Sequence, residues 1–468
     1  MSLSPSPLLD EMLRVVARRY RVPAMPVAAA RMEAAHPAAT LAMAIEHARK
    51  ALADGTTPDT ALRRRFTQAL AQLIRQAMRT AQGDPVFQAM VLRHRAAQVR
   101  EYASLSAHAD QDRRQVRAIV NAIAHPAKRQ RMPPGRLHEA LAQLHALASA
   151  ASWPTLADTA RQLLAMPEAT PDAPLQRGLT QLAHGAALER LQRLDALVPD
   201  ALVQQYRSLW DRHGPRPGSP TAVAQGGASQ QRGAAVEALA AQAMQALAKR
   251  LNQAEAIFYR VVTSMRVPAS IPASAERAKS EWDAVLLRQA STAGAAPTWD
   301  VCLLVEAKAS VDAATTDLPR LRRGLRLLAH ADAGSVYPFA THQGTMHLRG
   351  ASLSALAAAE TGLARTVLYC CDAPVDATPR LLGAASRMQL LSAPASVDFA
   401  SRLAEGHRAD AEALQPVWHQ LLESPRWSAV LHQYPTLRQV RGLMVHPDDL
   451  WAAANGTAED DTTVSMTS

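Results

Sequence analysis

Asp283, Glu306 and Lys308 are the residues of this chain whose types and spacing could do chemistry. They lie in two runs of one texture, Trp282-Asp283-Ala284-Val285-Leu286-Leu287 and Trp299-Asp300-Val301-Cys302-Leu303-Leu304, the second continuing into Val305-Glu306-Ala307-Lys308. Both runs read as largely buried β-strands. If the intervening STAGAAP segment is a hairpin loop centred near Gly294, paired residue numbers sum to about 589, which sets Asp283 across from Glu306. Opposed residues of antiparallel strands have Cβ atoms roughly 4.5–5.5 Å apart, close enough for two carboxylates to share one divalent cation. Lys308 stands two residues beyond Glu306, so strand alternation puts its ammonium on the same face. Hard oxygen ligands suit Mg²⁺ or Mn²⁺, which polarise a phosphodiester and lower the pKa of a bound water, and Lys308 would orient that water or offset developing charge. The chemistry expected is metal-dependent hydrolysis.

Asp300 shares the Trp-Asp pattern but precedes Glu306 by six residues on one strand, about 20 Å at roughly 3.3 Å per residue, too far to share an ion. His342 and His347 in THQGTMH have no third ligand at a metal-site spacing and are expected in a loop. Glycine-rich phosphate loops and a GxSxG elbow are absent from the sequence, so it gives no sign of nucleotide binding or acyl chemistry. Lysine usage supports the choice of Lys308, because only five of 51 basic residues are Lys.

The elements that must position these groups are short. A helix is expected from about Arg232 to Leu251, with Val236, Ala240, Ala243, Leu247 and Leu251 on one side. Strands follow at Ile257 to Met265, Trp282 to Arg288 and Asp300 to Lys308, then a helix near Leu318 to His330 and a strand at Thr366 to Cys371. In that second helix Leu318, Leu321, Leu325 and Leu328 form an apolar stripe, while Arg320, Arg322, Arg323 and Arg326 fall elsewhere. Arg320, Arg323 and Arg326 are therefore candidates to hold a nucleic-acid backbone, a solvated basic face being the alternative.

This order of helix, three strands, helix and strand, with an Asp on the second strand and Glu306-Ala307-Lys308 as an E-x-K on the third, resembles the PD-(D/E)XK nuclease superfamily over about residues 230–400. The Pro that precedes the Asp in that family is absent here, where Glu281-Trp282 stands instead. The resemblance implies a restriction-endonuclease-like α/β core of αβββαβ order with a central mixed sheet. It also implies Mg²⁺ or Mn²⁺ held by Asp283, Glu306 and the Ala307 carbonyl, with Glu237 on the first helix as a further carboxylate. DNA is the expected substrate more than RNA, in genome defence or DNA processing. The alternative is a non-catalytic protein that binds nucleic acid or a protein partner through a nuclease-like scaffold.

The rest of the chain sets the frame. At 468 residues it is expected to hold more than one folded unit. Residues 8–212 carry helical periodicity, as at Leu62, Phe66, Leu70, Leu73 and Ala77, with breaks at Gly55 to Pro58, Gly83 to Pro85, His125 to Gly135 and Pro167 to Pro174. The organisation expected is α+β and multidomain. It comprises an all-α N-terminal domain (1–213), a Gly/Pro/Ser/Gln linker (214–231), the nuclease-like domain (232–400), a helical C-terminal extension (401–455) and a polar tail (456–468) taken as disordered. No fixed-period repeat is present.

Net charge is +10, yet residues 401–468 alone carry −4, so the first 400 residues hold about +14. This excess favours a polyanionic partner, with a plain basic surface as the alternative. In the helical half Lys128, Arg129 and Arg131 could grip phosphates. A second copy of the chain or another protein would be met through the helical domains. Cys302, Cys370 and Cys371 sit in apolar runs and suggest neither disulfides nor zinc, and neighbouring Cys370 and Cys371 should point to opposite faces. With no signal-peptide pattern and no long apolar stretch, a cytoplasmic protein without a membrane segment is expected, a secreted effector with a Ser/Pro-rich leader being the alternative.

Overall fold

The computed structural model describes residues 6–22, 36–169, 171–215, 218–274, 276–291, 296–356, 362–375 and 380–456. The chain divides into two compact units. One gathers 1–73, 217–390 and 414–468, and the other 74–216 and 391–413. The protein is a mixed α+β chain, mostly helical, with a single seven-stranded sheet among the described residues.

The sheet belongs to the first unit. In chain order its main elements are α1 (Pro7–Val15), α2 (Pro220–Ala254), β1 (Tyr259–Arg266), β2 (Glu281–Ser291), β3 (Thr298–Ala307), α3 (Val311–Ala329), β4 (Val336–Thr341), β5 (Gly344–Arg349), β6 (Val367–Cys370), α4 (Gln433–Leu443), β7 (Met444–Val445) and α5 (Pro447–Gly456). The expected order of helix, three strands, helix and strand is present, with the β4–β5 hairpin inserted before β6. That hairpin contains the THQGTMH segment expected as a loop: His342 lies in its turn, whereas His347 is in strand β5. The turn passes through Gly344 at φ +102°, a conformation that costs glycine little, and β4 alternates buried Tyr337 and Phe339 with exposed neighbours.

β3 organises the sheet. It pairs antiparallel with β2 along one edge, while its other edge meets β5 in parallel at Thr298 and Trp299 and β6 in parallel from Leu304 to Ala307. Strands β1 to β5 thereby close into a five-stranded barrel, and β6 and β7 continue the sheet beside the carboxyl end of β3. Strands covered on both faces need continuous apolar runs, which is why β3 shows no simple alternation.

Two cores lie on the two faces. One holds Val285, Leu304, Val367 and Tyr369 against Leu318, Leu321, Leu325 and Leu328 of α3. The other holds Leu286, Leu303, Val305 and Leu368 against Ala240, Ala243, Leu247 and Leu251 of α2 and Leu9, Met12 and Leu13 of α1. Each fully buried Leu or Val contributes roughly 1.5–3 kcal/mol. Cys370 falls in the second core and Cys371 in the first, on opposite faces as alternation requires.

Several expected boundaries change. Residues 6–22 group with the sheet rather than with one N-terminal helical domain, because α1 buries its stripe in the sheet's core, and residues 36–73 fall in the same unit. An amphipathic stripe says that a helix must be covered, not by what. The expected linker is helical from Pro220, where α2 begins behind an Ser219 cap, although its Gly- and Gln-rich first turns are exposed. The C-terminal extension is not purely helical, since β7 joins the sheet. The tail beyond 456 lies outside the described residues.

The second unit is helical. Its core runs from the helix Ala97–Ala124 through Arg136–Ser149 and Trp153–Leu164 to Ala173–Ala183 and Ala186–Leu197, and the breaks expected from proline and glycine fall between these helices.

Candidate active site

The register of the β2–β3 hairpin places the site. Ala284 pairs with Val305, Val285 with Leu304 and Leu286 with Leu303, each pair summing to 589, before a bulge shifts the next pairs by one. Asp283 and Glu306 lie one step beyond this ladder, two residues from Val285 and Leu304, which both face the α3 core. The Asp283 carboxylate caps the strand end: its Oδ2 accepts the Ala307 N–H at 2.8 Å. This contact engages the Ala307 amide and leaves aside its carbonyl, the group that the family resemblance implied as a ligand.

Glu306 is fully buried. Its Oε2 accepts from two ammonium groups, Lys308 at 3.2 Å and Lys279, while its Oε1 has no hydrogen-bond partner. Burial and the charge of Asp283 push its carboxyl pKa up to about 8, against the pull of Lys279 and Lys308. Burial alone would depress Lys308, but Glu306, Asp317 and Asp283 outweigh it and leave its pKa raised. Lys308 also lies 3.5 Å from Asp317 of α3, which in turn accepts from the Tyr369 hydroxyl at 3.2 Å. The Lys308 main-chain N–H donates to the Cys370 carbonyl at 2.8 Å, so β6 fixes the backbone from which the ammonium projects.

Glu237 projects from exposed helix surface on α2, and it belongs to the same electrostatic neighbourhood. Its pKa is raised, first by burial and then by Asp283 and Glu281. Asp300 serves elsewhere. It is buried, held by Arg349 through Nε at 2.7 Å and Nη2, and lies 3.5 Å from Arg288. The sequence argument that set it apart from Asp283 agrees with this pairing.

Lys279 was not singled out in the sequence. It lies between β1 and β2 in a segment with no periodicity, and tertiary contacts carry it inward. Its N–H donates to the Arg320 carbonyl of α3 at 3.2 Å, and its ammonium stands 5.9 Å from the centre of the Trp282 ring. Gly324 of α3 makes room, since a Cβ there would lie 2.8 Å from the Lys279 Cβ and 2.9 Å from its carbonyl oxygen. The signal that could have found Lys279 is the one that marked Lys308: two of the chain's five lysines stand at this site. Asp317 and Tyr369 had no comparable signal.

The basic candidates separate. Arg320, Arg323 and Arg326 are exposed on α3, opposite its buried leucine stripe. Arg323 donates to the Arg277 carbonyl at 2.8 Å, and Arg322 is engaged with Gln439. Lys128 and Arg129 belong to the second unit, where they donate to the Ala122 and Ala124 carbonyls at the end of the helix Ala97–Ala124. They act there as a C-terminal cap, a use of basic side chains that needs no ligand. Arg131 is exposed in the same turn. His342 is near Thr263, with Nδ1 3.3 Å from its hydroxyl.

The donor set fits a hard divalent cation in chemistry: two adjacent carboxylates, one with a buried oxygen that nothing satisfies. Among the described residues no three His, Cys, Asp or Glu side chains form a group that could hold a metal ion by themselves, so main-chain oxygen or water would have to complete the shell. No helix among the described residues is long and apolar enough to cross a membrane. Compared with protein-family models, curated proteins and solved structures, the chain matches none.

Proposed function

We propose that this protein is a Mg²⁺- or Mn²⁺-dependent nuclease with a restriction-endonuclease-like core, hydrolysing phosphodiester bonds of nucleic acid, DNA in preference to RNA. The observation that carries this reading is the meeting of Asp283, Glu306 and Lys308 at the carboxyl end of β3, with Glu306 Oε1 buried and unpartnered. Asp283 and Glu306 would hold the cation, with the Ala307 carbonyl or water completing the shell and Glu237 acting on them through its charge rather than as a third side-chain ligand. When bound, the ion supplies Lewis-acid polarisation of the phosphate and acidification of a water.

The chain's own groups do the rest. Lys308 offsets negative charge building on the phosphate, held in place by Asp317 and by the backbone bond to Cys370. Lys279 keeps a second positive charge on Glu306 Oε2, the oxygen that Lys308 also meets, and so favours the ionised form. Arg320, Arg323 and Arg326 form an exposed basic face on α3, the helix that also supplies Asp317, suited to a polyanionic backbone.

A second reading has one observation in its favour. A buried Lys279–Glu306 ion pair can serve as a strut in a non-catalytic nucleic-acid- or protein-binding scaffold. Cleavage of plasmid, linear duplex, single-stranded DNA and RNA with Mg²⁺ or Mn²⁺ separates the two. Cutting by the wild type that Lys308→Ala abolishes supports the nuclease. Binding without cutting under every condition supports the scaffold.

A further inference from the structure

A cleft of about 710 Å³ opens beside α1 and is lined by Arg14, Arg18, Arg21 and Arg365, with Asp10 and Glu11 as its acidic side chains. Two of the four arginines are accounted for: Arg365 is paired with Asp10, its Nε 3.0 Å from Oδ1, and Arg14 lies 3.9 Å from Glu11. Arg18 and Arg21 have no acidic partner among the described residues.

Arg18 is the unusual one. Its Nη2 donates to the Leu13 carbonyl at 3.1 Å, while its Nη1 is buried with no acceptor at all. A buried donor left unpaired costs about 1–3 kcal/mol, more when it is charged. The chain nevertheless folds back here: the Arg21 N–H donates to the Arg18 carbonyl, which brings a second guanidinium to the same cleft. Two like charges held together without a counterion form a site for an anion, and guanidinium forks match phosphate oxygens better than a point charge does.

The position of the cleft gives it a use. Tyr20, two residues after Arg18, is buried, and its hydroxyl lies 2.7 Å from the carbonyl oxygens of both Cys371 and Ala373. This pins the segment after α1 to the end of β6, the strand whose Cys370 carbonyl also holds the Lys308 backbone. The segment that carries Arg18 and the backbone of Lys308 are thus bonded to neighbouring carbonyls at the carboxyl end of β6.

We propose that the cleft at Arg18 and Arg21 is a phosphate-binding site that takes a phosphate group of the nucleic-acid strand close to the bond being cut. Its use in cleavage rests on the nuclease reading above, whereas binding of the phosphate does not.

The test is fluorescence anisotropy of the full chain with internally labelled DNA 20-mers, with and without a terminal phosphate, in EDTA so that no cleavage enters the readout. Arg18→Met should weaken binding about tenfold or more, the loss expected for a charge-assisted hydrogen bond. Arg21→Gln, at an exposed residue outside the core, should weaken it in the same direction and flatten its salt dependence. If Arg18→Met melts early, Arg21→Gln decides: weaker binding supports the site, and unchanged affinity overturns it.

Weakening confined to DNA bearing a terminal phosphate would identify a phosphomonoester ligand. Equal weakening on all DNAs would identify an internal diester. Competition by millimolar inorganic phosphate that both substitutions remove would also support the site, as one satisfied by the phosphate group alone. Wild-type affinity in both variants overturns the proposal even if the protein cuts DNA. Absence of cutting by a protein whose binding still depends on Arg18 and Arg21 would remove the nuclease reading and leave the site.

Discussion

Lys279 and Glu306 meet as an ion pair almost wholly shielded from water, the lysine side chain 7% exposed and the glutamate 0%. Neither belongs to the other's strand pairing. β3 carries the glutamate, and an irregular segment carries the lysine into contact with α3. Taking one partner away leaves the other buried with its charge poorly compensated, which sets the first expectation.

Above about pH 8, where Glu306 is ionised, Lys279→Met should lower unfolding free energy by about 3–5 kcal/mol, the usual loss when a buried pair is broken from one side, and by less at lower pH, where Glu306 takes up a proton. The double substitution Lys279→Met with Glu306→Leu should recover much of that loss. Chemical denaturation of Lys279→Met, Glu306→Leu, the double variant and the wild type measures this. Additive single effects would show that the two side chains are not coupled.

Stability of the metal-free protein should depend on pH through Glu306. Its folded pKa, raised from an ordinary 4.5 to about 8, means that the folded state holds a proton the unfolded chain releases. The sign follows: this contribution is fully present below about pH 4.5 and is lost as pH rises to about 8. Glu306→Gln cannot titrate and should remove that slope. Urea midpoints across this range, for both proteins, provide the check, and parallel curves would rule the assignment out.

Gly324→Ala should destabilise the protein at this buried position even though alanine is favoured over glycine within a helix by about 1 kcal/mol. The added Cβ would stand 2.8 Å from the Lys279 Cβ, and overpacking costs typically about 1–3 kcal/mol. Thermal melting should show a net loss, and any DNA cleavage should fall with it as Lys279 is displaced. A melting temperature above the wild type would mean that the helix and the Lys279 segment separate freely.

Asp300→Asn should cost about 3 kcal/mol, at the low end for a broken buried pair because Arg349 is partly exposed. It should leave metal-dependent cleavage per folded molecule unchanged, whereas Asp283→Asn should remove cleavage with a smaller effect on stability. Measuring both variants for melting and cutting distinguishes the two aspartates of the Trp-Asp pattern. The reverse assignment would hold if Asp300→Asn abolished cutting in a fully folded protein.

Much of the local architecture was legible before any tertiary structure. The apolar runs gave β1, β2, β3 and β6 to within a few residues, and the leucine stripe of α3 is the buried face. The hairpin arithmetic gave the register that the sheet adopts up to its bulge, because antiparallel pairing is set by neighbours close in the chain. Asp283 and Glu306 are brought together for that reason, while Lys308, one residue past β3, is also placed by its backbone bond to Cys370.

Long-range packing decided the rest. No periodicity in residues 267–280 marks Lys279 as buried; it enters because its backbone bonds to Arg320 and Gly324 leaves space. Asp317 reaches Lys308 from a helix whose docking depends on a core contributed by several strands. The stripe of α1 was visible, but its burial against the sheet rather than other helices was not, and neither was the pairing of Tyr20 with the end of β6. Hydrophobic patterning states which side of an element must leave water, since that is a property of the element itself. Which surface it meets depends on the shape and area offered by the whole chain, and only the folded structure assigns it.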